Sequence, residues 1–129
     1  MIYYAIILLF TFVHAYLDSR RIKKNLEIDH FTRAAVWFFA CFVFYPFLSD
    51  WSFFYLGYFG LLTLSIRKGF YDFALNKFRG LSLWYTSTTT TSQIDLFQQK
   101  HKINQHVVSI VALIGSLFLL TIAIIKGIY

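Results

Sequence analysis

The sequence predicts an all-α protein, a four-helix transmembrane bundle with an interfacial helical and loop segment between the third and fourth spans. Of its 129 residues, 58% are hydrophobic and only 14% are charged. A soluble domain is about half apolar and about a quarter charged. A soluble chain this small has too few charged residues to cover so much apolar surface. The composition therefore predicts one integral membrane domain, 1–129.

Four apolar stretches along the chain are the predicted spans. A membrane-crossing helix needs roughly 20 mostly apolar residues, with about 17 as the lower end. The fourth stretch has this length by itself, and the other three reach it with their polar flanks. Pro46 and the sequence "SDWS" predict a tight turn, which makes the second and third spans an antiparallel hairpin. The predicted spans are 2–18, 31–48, 52–70 and 105–126, with a cytoplasmic segment at 71–104.

The cytoplasmic segment carries signals for a helix end, a loop and a second short helix. Gly80 is a predicted helix stop, because glycine adopts the left-handed conformation that often ends a helix. Trp84 and Tyr85 follow it and are suited to the lipid headgroup layer. Ser92 has an acidic residue three positions later, the spacing of a capping box. The helix that begins there is predicted to lie on the membrane surface.

Lysine and arginine are distributed unevenly between the two predicted sides of the membrane. Five lie in segment 18–33 and six in segment 67–104, whereas only Lys126 lies on the opposite side. Positive loops stay in the cytoplasm, so both termini are predicted to be outside and both larger loops cytoplasmic. The predicted location is the plasma membrane, or the inner membrane of a bacterium. The net charge of +6 predicts anionic lipid headgroups, not nucleic acid, as partners.

This topology gathers the titratable residues at one membrane surface. All four histidines and five of the six acidic residues fall on the cytoplasmic side. His14 and Asp18 are four residues apart and share one face of the first helix. Asp72, Asn76 and Arg79 share one face of the third. Because polar side chains at membrane depth usually face the bundle interior or a cavity, the pattern predicts a polar pocket at the cytoplasmic face.

The predicted pocket contains residue types that bind metals and phosphates. Imidazole and carboxylate groups are suitable ligands for zinc, iron or manganese, and arginine recognises phosphate through paired hydrogen bonds. The predicted function is metal-dependent chemistry on a lipid headgroup or lipid-linked phosphate, with a divalent metal activating water. The predicted metal ligands are His14, Asp18, His30 and Asp72, the catalytic residues are Asp18, Asp72 and Asn76, and the phosphate-binding residues are Arg21, Arg33 and Arg79.

Each of these residues also has a purely structural interpretation. His14 and Asp18 are then a hydrogen-bonded pair at the membrane surface, and Asp72 pairs with Lys68 one turn away. Arg67 and Lys68 are predicted to snorkel, with their charged ends in the headgroup layer. The sequence contains no HExxH, no CxxC and no Gly-rich phosphate loop.

Two other functions are compatible with the sequence. One is a non-catalytic subunit that braces a larger complex with partner membrane proteins, because the fourth span carries small residues, including Gly115 and Ser116, suited to helix packing. The other is an electron-transfer protein that binds haem through His14 and His106.

Overall fold

The computed structural model describes residues 2–26, 35, 37–39, 53–86 and 93–126. These residues form helices and connecting turns, with no strand among them. Residues 37–39 are helical. The long elements are α1 (Ile2–Lys23), α2 (Phe53–Arg79), α3 (Gln93–Lys100) and α4 (Gln105–Lys126). The predicted all-α class is confirmed for the described part of the chain.

One described helix, α4, is long and apolar enough to cross a membrane, and its bounds coincide with the predicted fourth span. The helices α1 and α2 begin where the first and third spans were predicted, and both continue beyond them to basic residues, Lys23 and Arg79. Most of the predicted second span, including Cys41 and Pro46, lies outside the described residues. The structure thus establishes a helical protein with one candidate membrane helix, and the other three spans stay predictions.

Three of the helices end in the same hydrogen-bonded motif. After α2, the Leu81 N–H bonds the Asn76 carbonyl at 3.0 Å, and Gly80 between them has φ of 76°. This is a Schellman motif, in which a left-handed residue turns the chain so that the last carbonyls are satisfied. Matching bonds follow α1 and α3, where Asn25 and Lys102 have φ of 52° and 55°. The helix stop predicted at Gly80 is confirmed.

The helix α2 contacts both α1 and α4, so it forms the middle of the described bundle. Its interface with α1 is mainly apolar and includes one buried polar pair, the hydroxyls of Tyr3 and Thr63 at 3.1 Å. A hydroxyl pair of this kind satisfies both groups inside an apolar contact. The buried core residues are Tyr3, Ile7, Trp37, Tyr58, Phe59, Leu62, Ile66 and Ala123.

A close helix contact joins α2 to α4 at Gly69. A Cβ atom at this position would lie 2.8 Å from Leu113 Cγ and 3.0 Å from the Leu113 backbone nitrogen. One turn along the interface, a Cβ on Gly115 would lie 3.9 Å from Ser65 Oγ. The predicted small-residue strip of α4 therefore packs within the chain, against α2, because small side chains allow two helix backbones to approach.

Candidate functional site

Four polar residues meet between α1 and α2, and we call them the α1–α2 polar cluster: His14, Asp18, Arg67 and Tyr71. Asp18 is 1% exposed, and its Oδ2 accepts a hydrogen bond from the Tyr71 hydroxyl. The Nη1 atom of Arg67 lies 3.4 Å from Nδ1 of His14. Each helix contributes two residues that are four positions, or about one turn, apart, so the two residues lie on one face of their helix. The two faces meet in the interface between α1 and α2.

The cluster continues the buried stripe of α1. Tyr3, Ile7, Thr11, Ala15 and Asp18 are all buried, at intervals of three or four residues. Such spacing keeps successive residues on one face of a helix. The last member of this stripe is a carboxylate, so the packing that buries Ile7 also draws Asp18 into the interface with α2. The predicted pairing of His14 and Asp18 on one face is part of this pattern.

Arg67 lies between two aromatic rings. Its guanidinium carbon is 4.8 Å from the ring centroid of Trp37 and 4.8 Å from that of Tyr71. Aromatic faces attract cations, most strongly where water is excluded, and Trp37 is 2% exposed. These two rings hold the charged end of Arg67 beside the buried stripe, and its snorkelling to the headgroup layer stays a prediction.

The contact between His14 and Arg67 has only one possible direction. Arginine stays protonated and can only donate, so Nδ1 of His14 can take part in this 3.4 Å contact only as the acceptor.

Asp72 lies on a different side of α2 from the cluster. Its Oδ2 is 2.9 Å from Lys68 Nζ, as the structural interpretation predicts, and accepts a bond from Ser109 Oγ of α4 at 3.5 Å. Neighbouring positions on a helix are about 100° apart, so Tyr71 faces α1 while Asp72 faces α4. Among the described residues, no three His, Cys, Asp or Glu side chains are grouped so that they could hold a metal ion.

Asn76 and Arg79 are at the loop that follows α2. The Asn76 side chain is buried, and its Nδ2 donates to the carbonyls of Leu83 and Tyr85 at 3.2 and 2.8 Å. The guanidinium carbon of Arg79 is 5.6 Å from the Tyr85 ring centroid. Both side chains thus hold the loop against the helix end, and their catalytic and phosphate-binding roles stay predictions.

The remaining predicted site residues are less closely engaged or lie elsewhere. Arg21 is exposed at the end of α1, where the neighbouring Lys23 donates to the Phe78 carbonyl at 2.9 Å. His30 and Arg33, predicted as a metal ligand and a phosphate-binding residue, lie outside the described residues.

His106, the predicted second haem ligand, is at the start of α4. Its Nε2 is 2.8 Å from Thr86 Oγ1, and its ring packs edge-on against Trp84 with centroids 5.4 Å apart. Its backbone N–H donates to Asn104 Oδ1 at 2.9 Å, which is an N-cap contact. His106 thus holds the loop that follows α2 against the start of α4.

Sequence reasoning missed Arg67 and Tyr71 as members of the site. A usable signal is present, since they repeat on the third predicted span the four-residue spacing of His14 and Asp18. The sequence predictions chose the face of Asp72 instead, which is one residue further round the same helix.

No family model matches this sequence, and no curated protein or solved structure is significantly similar to it.

Proposed function

We propose that this chain is a polytopic helical membrane protein whose α1–α2 polar cluster binds the phosphate of an anionic lipid or lipid-linked headgroup at the cytoplasmic surface. The observation that carries the proposal is Arg67, held between two aromatic rings next to His14 in a helix interface. Ionisable residues are costly at membrane depth, and they usually mark a functional site there.

The outer surfaces of the described helices support the membrane assignment. Large apolar side chains are exposed on α1, α2 and α4, and hydrocarbon is the environment in which such surfaces are stable. The one described helix that is long and apolar enough to cross a membrane, α4, is mostly exposed. The bias of basic residues favours a four-span arrangement with both termini outside. The most exposed of these residues are Leu9, Leu61, Val111, Ile114, Phe118 and Ile125.

The interfacial segment supports contact with headgroups. Leu83, Trp84 and Phe97 are exposed although they are apolar or aromatic, and exposed Lys100 and Lys102 accompany them. Aromatic rings with nearby basic residues are typical of the membrane–water interface, where anionic lipids attract the positive charges.

An anion fits the cluster better than a metal ion does. A divalent metal bound to His14 would be next to the guanidinium of Arg67, which is 3.4 Å from the ring nitrogen. Coulomb repulsion from this guanidinium opposes the metal ion, and the same guanidinium attracts a phosphate, whereas the Asp18 carboxylate acts in the opposite direction on both. Metal-dependent hydrolysis or transfer, with zinc, iron or manganese on His14 and Asp18, is thus the less favoured form of the proposal.

Lipid binding to the purified full-length protein tests the proposal. The protein in mild detergent is titrated with dioleoyl phosphatidic acid and followed by native mass spectrometry. Arg67→Gln is expected to weaken binding by about tenfold or more, because a charge-assisted contact is lost. Lys126→Gln is the matched control: it removes the same charge from the exposed far end of α4 and should leave the affinity unchanged.

Two results would overturn the proposal. One is equal affinity of the wild type and Arg67→Gln for phosphatidic acid. The other is a stoichiometric metal in the purified protein that disappears in His14→Ala, which would establish the metal site instead.

A second candidate function is a non-catalytic subunit of a larger membrane complex. It is favoured by α4, whose large apolar residues are mostly exposed and available to a partner helix. This function predicts that a partner membrane protein co-purifies in stoichiometric amount after gentle extraction, and that substitutions of Val111 and Ile114 to alanine release it.

A further inference from the structure

The loop that follows α2 is held on both sides of its aromatic residues. The buried Asn76 side chain of α2 donates to the carbonyls of Leu83 and Tyr85 at 3.2 and 2.8 Å. On the other side, the ring of Trp84 packs edge-on against that of His106, with centroids 5.4 Å apart. His106 is the second residue of α4. The loop therefore lies where α4, the candidate membrane helix, begins.

The helix α3 is tied to the same place by the chain itself. The Ile103 N–H bonds the Gln98 carbonyl at 2.8 Å, and Lys102 between them has φ of 55°, so the chain turns sharply after α3. Lys100 is the last residue of α3, and α4 begins at Gln105. An extended chain of that length spans at most about 18 Å. The end of α3 and the loop after α2 thus both lie near the start of α4.

The two segments share exposed apolar side chains and exposed lysines, and together we call them the α3–loop surface. Its members are Leu83, Trp84, Leu96, Phe97, Lys100 and Lys102. Large apolar groups beside lysines are unfavourable in water and typical of segments that lie in a membrane interface. In the sequence 80–106 the one acidic residue, Asp95, is at the opposite end of α3 from the lysines. The end of this surface next to α4 is therefore positively charged.

We infer that the α3–loop surface docks in the plane of an anionic membrane, with its apolar side chains among the headgroups and Lys100 and Lys102 beside lipid phosphates, and that His106 positions it. This surface is a second lipid contact, separate from the α1–α2 polar cluster. The cluster binds one headgroup, whereas the α3–loop surface responds to the density of negative charge over several. The inference rests on the membrane placement in the proposed function and does not depend on the phosphate site.

A spin label measures where α3 lies. In a Cys41→Ala background, Leu96→Cys carries the label in the full-length protein, reconstituted in phosphatidylcholine vesicles with or without dioleoyl phosphatidylglycerol. Collision with oxygen, which dissolves in lipid, is compared with collision with a nickel chelate, which stays in water. The label is expected to favour oxygen in the anionic vesicles and to shift toward nickel without the anionic lipid. A label at Ile114→Cys, on the exposed side of α4, reports whether the chain is inserted.

Lysine substitutions test the role of charge. The double variant Lys100→Gln and Lys102→Gln should lose the dependence on phosphatidylglycerol, since each lysine near an anionic surface favours the docked position by about fivefold. The double variant Lys24→Gln and Lys77→Gln is the matched control. It removes the same number of exposed charges at the ends of α1 and α2, and the Leu96 label should stay at its wild-type depth.

His106→Ala tests the positioning role. Quenching by brominated lipid reports the depth of Trp84, taken as the difference between the wild type and Trp84→Phe. The alanine variant should lose most of this quenching while its helical circular dichroism is unchanged. His106→Gln, whose amide can still bond Thr86, should retain part of it. Equal quenching in the wild type and His106→Ala would overturn the role of His106.

The outcomes separate this inference from the proposed function. A Leu96 label that favours nickel in anionic vesicles, with the Ile114 label in lipid, would overturn the docking and leave the membrane placement standing. A Leu96 label shielded from both reagents would assign this surface to a protein partner and overturn the docking as well. An Ile114 label that favours nickel would overturn the proposed function itself.

Discussion

Asp18 is the residue on which the polar cluster depends most. A carboxylate that is 1% exposed has given up its hydration, and the folded protein must replace the lost hydrogen bonds. The Tyr71 hydroxyl supplies one replacement from the facing helix. The ring of Tyr71 also lies against the Arg67 guanidinium, so Tyr71 contacts both Asp18 and Arg67.

Tyr71→Phe isolates the hydroxyl contact, because the aromatic ring that faces Arg67 remains. Removing a donor from a buried carboxylate is expected to lower the free energy of unfolding by about 1–3 kcal/mol. Denaturant unfolding in detergent, followed by circular dichroism, measures the change. Tyr85→Phe removes the same group from an exposed loop position and should have little effect. Equal stability of the two variants would contradict a buried Tyr71–Asp18 bond.

Among the helices, α2 is the one that packs against two others, α1 and α4. Its Tyr71 side faces α1, and its Gly69 and Asp72 contact α4 through Leu113 and Ser109. The contact at Gly69 is close because there is no side chain to hold α4 away. One helix thus separates the polar cluster from the Lys68–Asp72 pair.

Gly69→Ala tests this close approach. The added Cβ would lie 3.0 Å from the Leu113 backbone nitrogen, which cannot move without the whole of α4. Overpacking of this kind costs about 1–3 kcal/mol, partly offset by the roughly 1 kcal/mol that alanine gains over glycine in a helix. We expect net destabilisation of up to about 2 kcal/mol by denaturant unfolding.

Gly60→Ala is the matched control on the same helix. No described atom lies within 4 Å of its added Cβ, so only the helix preference acts, and stability should rise by about 0.5–1 kcal/mol. The same response at both glycines would mean that α2 and α4 are further apart than described.

At the scale of the whole molecule, the described helices have an apolar exterior, and α1 and α2 each end in basic residues. Exposed leucine, isoleucine and phenylalanine side chains cover the middle of the helices. The basic residues of α1 and α2 are concentrated in their last turns, Arg20, Arg21 and Lys23 in one and Lys77 and Arg79 in the other. This division is the reason for the proposed membrane placement, in which hydrocarbon would cover the apolar middle and anionic headgroups the basic end.

Cysteine labelling of intact cells tests the orientation. In a Cys41→Ala background, Ser82→Cys and Lys126→Cys each introduce a single thiol at opposite ends of the predicted bundle. An impermeant maleimide is expected to label the Lys126 variant and to reach the Ser82 variant only after lysis, because positive loops stay in the cytoplasm. The reverse pattern would invert the topology, and labelling of both thiols in intact cells would contradict an odd number of spans between them.

The helices were predictable because their signals are local. The apolar run of α4 and the Gly80 stop depend only on neighbouring residues, and both are confirmed. The Lys68–Asp72 pair is equally local, one helical turn, and is also confirmed. The C-terminal ends of α1 and α2 extend further than the apolar runs, because helical hydrogen bonds continue past the apolar residues into the basic last turns.

The sequence by itself determined the helical class, the candidate membrane helix α4, the helix stop and the shared face of His14 and Asp18. Only the tertiary structure decided which face of α2 meets them: Arg67 and Tyr71, not Asp72 and Asn76. The physical reason is that adjacent helix positions differ by about 100° in direction, so the choice depends on the rotation of α2. That rotation is determined by its contacts with α1 and by the close approach of α4 at Gly69, which involve residues distant in sequence.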